Sequence, residues 1–262
     1  PHNDSKGAIL IHLKQTITKC IKNLCVLAII TFHTSAVVGQ ESVSEHSTLP
    51  FFKANYDAVI SGFTVQAKRE YKPLENGLVE LSFSASSWLA NLTETSRFTW
   101  QKATIEPSFF SSTRNVLGIK KASQLDFNHS NKTLTRTIEN KAENLTYIKN
   151  SLDRLSFQLQ LQQDLLLHKH NIVYKIVHNN SIKNNQFEVI GKEIIPTKAG
   201  DFKTLKIKVI RENTSRVTFI WVATDWRYLL VRLIQLKDDK EQFSIELTDA
   251  IVGNQTVSGL QL

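Results

Sequence analysis

The chain has 262 residues, of which 41% are hydrophobic and 21% charged, so it can bury the core of an ordinary globular protein. Its formal net charge of +8 is scattered, without the clustered basic face that nucleic-acid binding needs, and at most supports weak attraction to an anionic membrane surface. Both cysteines, Cys20 and Cys25, precede residue 40, which excludes disulfides, cysteine zinc sites and cysteine nucleophiles from the rest of the chain.

The first 39 residues have the order of an export signal. Three lysines precede an apolar run, Leu24–Phe32, and the small-residue stretch TSAVVGQ follows it. This order predicts a signal helix that is cleaved near Gly39. A retained membrane anchor is the alternative, although the apolar run has about half of the roughly 20 residues that a spanning helix needs.

This pattern predicts three segments and a location. Residues 1–39 form the signal peptide or retained anchor, residues 40–49 a polar tether, and residues 50–253 a single β-barrel-like domain. The exported domain is expected in the periplasm, with membrane attachment if the signal is not cleaved.

From Pro50 onward the chain alternates between apolar and polar residues with a period of two. In GLVELSFSAS, for example, Val79, Leu81 and Phe83 point one way and the polar residues between them point the other. Such alternation is typical of antiparallel strands with one solvated face. About a dozen strands are predicted, and because so many strands seldom stay in one open sheet, the sheet is expected to curve into a barrel or half-barrel.

One segment, residues 151–168, fits a strand and a helix equally well by periodicity. It contains no Val, Ile, Thr, Tyr or Trp and is rich in Leu and Gln, which favours a helix that covers the curved sheet. Ser151 is the expected N-cap, and Asp153 is expected in the first turn.

The predicted helix has two apolar stripes on nearly opposite sides. The first stripe packs on the sheet, and the second must meet another segment of the chain, a partner or an apolar ligand. The first stripe consists of Leu152, Leu155, Leu159 and Leu166, and the second of Phe157, Leu161 and Leu165.

Several stretches resemble the bacterial exported proteins of domain of unknown function 3108. The similar stretches are FFKANYDAVISGFTVQAKREY, SLDRLSFQLQLQQDL, GDFKTLKI and FIWVATDWRYLLVRLIQ. The chain departs from the family pattern at Gln66, where a second Gly is common, and at Leu230, where Pro is common. The resemblance implies a periplasmic curved antiparallel sheet with a helix, over roughly residues 51–252, and no established biochemical activity.

The polar residues do not form a recognisable catalytic or metal site. His168, His170 and His178 form a cluster, but no carboxylate or third ligand has a recognisable metal-site spacing. Ser156 lacks the Gly-x-Ser-x-Gly elbow of hydrolases. The pairs Asp153–Arg154 and Asp225–Arg232 are expected to cap and to form ion pairs. We therefore predict a protein that is not an enzyme and has no metal or cofactor.

The aromatic residues suggest a function in binding. Enough of them are present to line an apolar cavity under the helix, and the same residues could equally be ordinary core. The first hypothesis is a protein that binds a lipid or other apolar molecule there; the alternative is an adaptor of the cell envelope that holds another protein through the second helix stripe or a sheet edge. The predicted cavity residues are Phe83, Trp100, Phe157, Leu161, Leu165, Phe219 and Trp221.

Overall fold

A computed structural model describes residues 49–60, 63–88, 90–178, 181–211 and 215–260. The predicted signal and nearly all of the predicted tether lie outside the described residues. Leu49, the last tether residue, is buried in the core. No helix in the described part of the chain is long and apolar enough to cross a membrane.

Within these described ranges, sixteen strands form a single sheet. They are β1 (Phe52–Ile60), β2 (Phe63–Pro73), β3 (Val79–Ser86), β4 (Ala90–Gln101), β5 (Thr104–Val116), β6 (Ile119–Asn128), β7 (Thr133–Ile138), β8 (Lys141–Leu145), β9 (Ser151–Leu152), β10 (Ile172–His178), β11 (Ser181–Thr197), β12 (Gly200–Arg211), β13 (Arg216–Ala223), β14 (Leu229–Lys237), β15 (Lys240–Val252) and β16 (Gln255–Thr256). Two short 3-10 helices, Glu75–Gly77 and Thr224–Trp226, lie between strands.

The sheet consists of two meanders joined by the first and last long strands. The first meander runs from β1 to β8 and the second from β10 to β15, and β1 pairs antiparallel with β15. Only β9 pairs in parallel, with β10, among the described strands. The predicted curved, mainly antiparallel sheet with one helix is therefore confirmed, in an unclosed form.

The connection between the two meanders shows how strongly the sheet curves. β8 and β9 form opposite edges of the sheet, yet only residues 146–150 separate them in sequence. The six Cα–Cα steps from Leu145 to Ser151 span at most about 22 Å. The fifteen strands between and including β8 and β9, laid flat, would be about 65 Å wide at about 4.8 Å per strand. The two edges must therefore curl towards each other.

Register shifts interrupt several of the antiparallel pairs. They lie at Asn55/Tyr56 on β1, Arg97/Phe98 on β4, Val189/Gly191 on β11, Trp221/Val222 on β13 and Gln235/Leu236 on β14. A bulge bends its strand and increases the local twist, which lets a wide sheet roll up without losing its hydrogen bonds elsewhere.

The single α-helix of the described residues, α1, spans Ser156–Leu166 and lies in the interior of the curved sheet. It is about 16 Å long and begins five residues later than predicted. Ser151 is not its N-cap, because Ser151–Leu152 form β9 instead. Leu159, Leu161 and Leu165 are all buried, so both predicted apolar stripes pack inside the molecule.

Candidate functional site

Asp153 fixes the start of α1. Its Oδ1 accepts hydrogen bonds from the backbone N–H groups of Leu155 (2.8 Å) and Ser156 (2.9 Å). The Ser156 hydroxyl in return accepts from the Asp153 N–H (3.0 Å), which completes a reciprocal capping box. Oδ2 accepts from the Ser96 hydroxyl on β4 (2.7 Å), so the same carboxylate attaches the helix start to the first meander.

Burial raises the pKa of the Asp153 carboxyl, although these hydrogen bonds act in the opposite direction. The neighbouring Arg154 forms an ion pair with Glu94 on β4 and lies 5.3 Å from the centre of the Phe110 ring on β5. Burial also raises the pKa of Glu94, against the opposing effect of Arg154. The acid and base that the sequence analysis assigned to capping and ion pairing do serve those roles at this end of the helix.

A second polar cluster attaches the middle of α1 to β5 and β10. The Gln160 side chain accepts from the Ile105 N–H (2.7 Å) and donates to the Ala103 carbonyl (2.9 Å). Asp164 accepts from the Tyr174 hydroxyl (2.7 Å) and from the Lys169 ammonium (2.8 Å). These bonds hold one side of the helix firmly to the sheet.

The other side of α1 faces a narrow apolar cleft. Here a single side-chain hydrogen bond among the described residues joins the helix to the β13–β14 connection, from Gln162 to the Arg227 carbonyl (3.1 Å). The cleft has room for about 30 Å³, enough for one or two water molecules. Its lining consists of Arg69, Phe157, Gln158, Leu161, Gln162, Ile220, Val222, Tyr228, Leu230 and Leu233.

Arg69 is the one charged residue in this lining, and it is only 2% exposed. Its guanidinium lies 5.5 Å from the centre of the Phe52 ring, and its Nε has no hydrogen-bond partner among the described residues. No carboxylate of the described chain forms an ion pair with it. A buried cation without a counter-charge is strongly destabilising, typically by several kcal/mol.

The Tyr56 hydroxyl lies beside Arg69 and donates to the Leu230 carbonyl (3.1 Å). Burial raises the pKa of Tyr56 and outweighs the opposing effect of the Arg69 charge. Because the tyrosine stays neutral, it cannot serve as the counter-ion of Arg69. The cleft therefore combines an apolar wall with one positive charge that no carboxylate of the described residues neutralises.

The predicted cavity residues do not form a single cluster. Phe157 and Leu161 line the cleft, and Leu165 is buried further along the helix. Phe83 pairs with Arg69 across β2 and β3. Trp100 belongs to an aromatic cluster with Phe98 and Tyr71, and its indole N–H donates to the Tyr71 hydroxyl (2.8 Å).

Phe219 and Trp221 lie on the opposite face of the sheet, away from α1. The Trp221 indole N–H donates to Glu193 (2.8 Å), and the Lys206 ammonium lies 5.1 Å from the centre of its ring. Ile220 and Val222, which are two positions apart on β13, share the other face and line the cleft. Alternation along the sequence did not reveal which side of β13 the helix would meet.

Arg69 was not among the predicted site residues, although the sequence contains a signal for it. In FTVQAKREY, Val65, Ala67, Arg69 and Tyr71 share one side of the strand, so a cation stands in an otherwise apolar row. The histidines are elsewhere: His168 and His170 are exposed after the helix, and His178 ends β10. Within the described ranges no three His, Cys, Asp or Glu residues are placed to hold a metal ion.

Comparisons with known proteins give a family and a fold. The family described as "Protein of unknown function (DUF3108)" matches residues 47–248. A β-barrel-like protein of domain of unknown function DUF1849 from Brucella abortus is similar in structure, with a TM-score of 0.56 and 8% identity over 78% of this chain and 98% of that one. This similarity shows the fold alone.

Two further structures are more distant. MucB gives a TM-score of 0.34 at 8% identity, over 83% of this chain and 57% of MucB. A Bacteroides fragilis protein described as exported, with a YmcC-like fold, gives 0.30 at 8% identity, over 78% of this chain and 100% of that one. No curated protein matches the chain.

Proposed function

The chain belongs to the family described as "Protein of unknown function (DUF3108)". Because that description implies no particular activity, we propose a function from the structure of the cleft. The proposal is an exported, non-enzymatic protein of the periplasm that binds a single-chain amphiphile with an anionic head group. The acyl chain would lie between α1 and β13–β14, and the head group would pair with Arg69. Export is supported by the basic, apolar and small-residue order of residues 1–39.

The observation that carries this proposal is Arg69 in the apolar cleft. A carboxylate or phosphate would neutralise the buried charge and could accept two parallel hydrogen bonds from the guanidinium. The surrounding Leu, Ile, Val and Phe side chains would take up acyl surface at about 25 cal/mol per Å². A ligand with both features matches both properties of the cleft.

Binding requires the cleft to widen, because small-molecule pockets usually have a volume of about 300 Å³ or more. The hydrogen bonds of α1 indicate how this would happen. Asp153, Gln160 and Asp164 hold the helix to β4, β5 and β10, whereas among the described residues Gln162 alone joins it by a side-chain hydrogen bond to the β13–β14 connection. We expect the gap to open on the β13–β14 side.

The test compares three single-chain ligands with the same acyl chain: oleate, oleoyl lysophosphatidic acid and oleyl alcohol. Binding is measured by displacement of a neutral hydrophobic fluorescent probe, in the wild type and in Arg69→Met. We expect Arg69→Met to weaken the binding of both anionic ligands by roughly tenfold or more, and to leave the alcohol nearly unchanged, because charged hydrogen bonds are worth about 1.5–3 kcal/mol. The two anionic ligands separate a carboxylate from a phosphate preference.

Arg97→Met is the matched control, because it removes an arginine that is exposed on β4 and leaves the cleft intact. Folding is checked by thermal unfolding, and Arg69→Met is expected to be at least as stable as the wild type because it removes an unpaired buried charge. No displacement of the probe by any ligand would remove the binding function. If Arg69→Met weakened the binding of all three ligands equally, the cleft would still be an apolar site, but the role of Arg69 would be contradicted.

A further inference from the structure

Two neighbouring hairpin turns place large apolar side chains at one end of the sheet. Trp88 lies in the turn between β3 and β4, and Leu117 lies in the turn between β5 and β6. Ala90 pairs with Val116, and Val116 pairs with Ile119, so both turns are at the same end of adjacent strands. The two hairpins are about 10 Å apart, which is the width of two strands.

These side chains are unusually exposed for their type. Trp88 is 91% exposed, Leu117 71% and Ile119 68%. Single exposed apolar residues are ordinary, but three of the largest side chains on adjacent hairpins make a patch.

The backbone at Leu117 makes this choice of residue more specific. Leu117 has a φ of 51° and is followed by Gly118 with a φ of 84°, which is the left-handed geometry of a tight hairpin turn. Asn or Asp is the usual residue before Gly in such a turn, because their side chains tolerate positive φ. A leucine at this position has both an unfavourable backbone conformation and an exposed apolar side chain. Its presence therefore does not stabilise the hairpin.

The charges around the β5–β6 turn have one sign. Arg114, Lys120 and Lys121 are exposed, and residues 107–125 contain no Asp or Glu. Arg114 and Lys121 are directly opposite each other in the strand register. Like charges in this position destabilise a sheet, so this pair, too, does not serve the fold.

We propose that these two hairpin turns form a docking surface for an anionic membrane, a role beyond the proposed binding of an amphiphile. We call it the hairpin rim, and it consists of Trp88, Arg114, Leu117, Ile119, Lys120 and Lys121. Trp88, Leu117 and Ile119 enter the head-group region, where tryptophan is favoured, and the three basic residues pair with lipid phosphates. Narrow protruding turns with a basic flank suit a lipid surface better than the broad flat contact of a protein partner.

The test measures sedimentation of the protein with vesicles. The sample is Val43–Leu262, the compact unit that contains all the described strands, the helix and the core, with the full chain assayed in parallel. Vesicles of equal parts phosphatidylglycerol and phosphatidylcholine are compared with vesicles of phosphatidylcholine alone. We expect binding to the anionic vesicles to exceed binding to the neutral ones, and to fall as salt is added.

Two variants separate the apolar and charged parts. Leu117→Asn should lower the partition coefficient several-fold without lowering the unfolding temperature, because Asn suits the left-handed turn. The double variant Lys120→Ser with Lys121→Ser should lower it roughly 10- to 30-fold, since each basic residue near an anionic surface contributes about fivefold. Ile194→Ser is the matched control, because Ile194 is a 60% exposed residue on β11, outside the hairpin rim.

The outcomes separate the possible occupants. Loss of binding in the rim variants but not in Ile194→Ser supports the proposal. Equal binding to neutral vesicles, or equal loss in Ile194→Ser, overturns it. Self-association of the wild type that Leu117→Asn abolishes, in the absence of vesicle binding, would assign the rim to a second copy of the chain instead.

Discussion

Asp153 shows how one buried residue can join several parts of a fold. Its carboxylate accepts three hydrogen bonds, from two N–H groups at the start of α1 and from the Ser96 hydroxyl on β4 of the first meander. The side chain is fully buried, so water cannot replace a lost partner. This residue therefore determines both where the helix begins and how it is attached to the first meander.

We expect Asp153→Ala to lower the free energy of unfolding by about 2–4 kcal/mol, because it leaves two helix N–H groups and a buried serine hydroxyl without their acceptor. Denaturant unfolding measures this. Asp201→Ala is the control, since Asp201 is exposed on β12. A loss in Asp153→Ala no larger than in the control would show that the capping box contributes little.

Some roles of individual residues could be predicted from the sequence and others could not. The sequence Asp-x-x-Ser contains the capping box, but Ser151 was expected to be the N-cap, and its pairing with β10 as part of β9 shows that this expectation is wrong. Arg69 stands out as a cation in an apolar row, yet the sequence does not show that α1 and β13 lie across from it. Contacts between residues that are distant in sequence cannot be read from local periodicity.

At the scale of elements, the β11–β12 hairpin folds over the outer face of the sheet, away from α1. The Pro196 carbonyl accepts from Arg232 on β14 (3.1 Å), and Lys198, near the hairpin turn, pairs with Asp57 on β1. Residues 258–260 pack along the same hairpin, with N–H groups of Gly259 and Leu260 donating to carbonyls of Ala199 and Asp201. The predicted domain end at residue 253 therefore leaves out a tail that contacts the sheet.

The attachment of the β11–β12 hairpin to the sheet should depend on pH. Hydrogen bonds from Lys198 and Gln66 lower the pKa of Asp57. A carboxyl whose pKa is lower when folded than when unfolded stabilises the fold above its unfolded pKa, and the effect disappears as pH falls through the folded value. We expect amide hydrogen exchange in residues 194–203, corrected for the intrinsic effect of pH, to become faster below about pH 4.

Asp57→Asn should produce the faster exchange already at neutral pH and remove most of the acid response. Asp249→Asn is a suitable control, because Asp249 is an exposed aspartate on the neighbouring strand β15 that bonds to Asn55. Unchanged exchange in Asp57→Asn would mean that the Arg232–Pro196 contact and the tail hold the hairpin without the ion pair.

The strands themselves were largely predictable. About a dozen strands were expected and sixteen lie in the described part of the chain, four of which have a weak signal in the sequence. β5 contains Pro107 and three serines, β8 is short and charged, and β9 and β16 have two residues each. Their pairing comes from neighbouring strands and not from their own composition, which is why local pattern did not reveal them.

At the scale of the whole molecule, the pairing of β1 with β15 holds the two meanders together. Phe52 is opposite Val252, and the pairing continues to Ile60 opposite Phe243. A chain that ends after Asp239 lacks β15 and leaves β1 and β14 with unpaired edges. We expect it to be unfolded or aggregated, as judged by circular dichroism and sedimentation.

A chain that ends after Val252 is the matched control for this truncation. It keeps every β1–β15 pair and loses β16 and the tail, so it should fold with reduced stability. Cooperative unfolding of the shorter chain as well would show that the two meanders are stable without their junction.

The partnership between the first and last long strands also determines when the protein can fold. Asn55 and Asp249, which share a hydrogen bond, are 194 positions apart along the chain. Contacts of such high sequence separation slow folding, because the loop must be closed before the contact contributes any energy. When the polypeptide emerges from its N-terminus, β1 therefore stays unpaired and prone to aggregation until almost the whole chain has emerged. We expect the protein to depend on a holding chaperone during that interval.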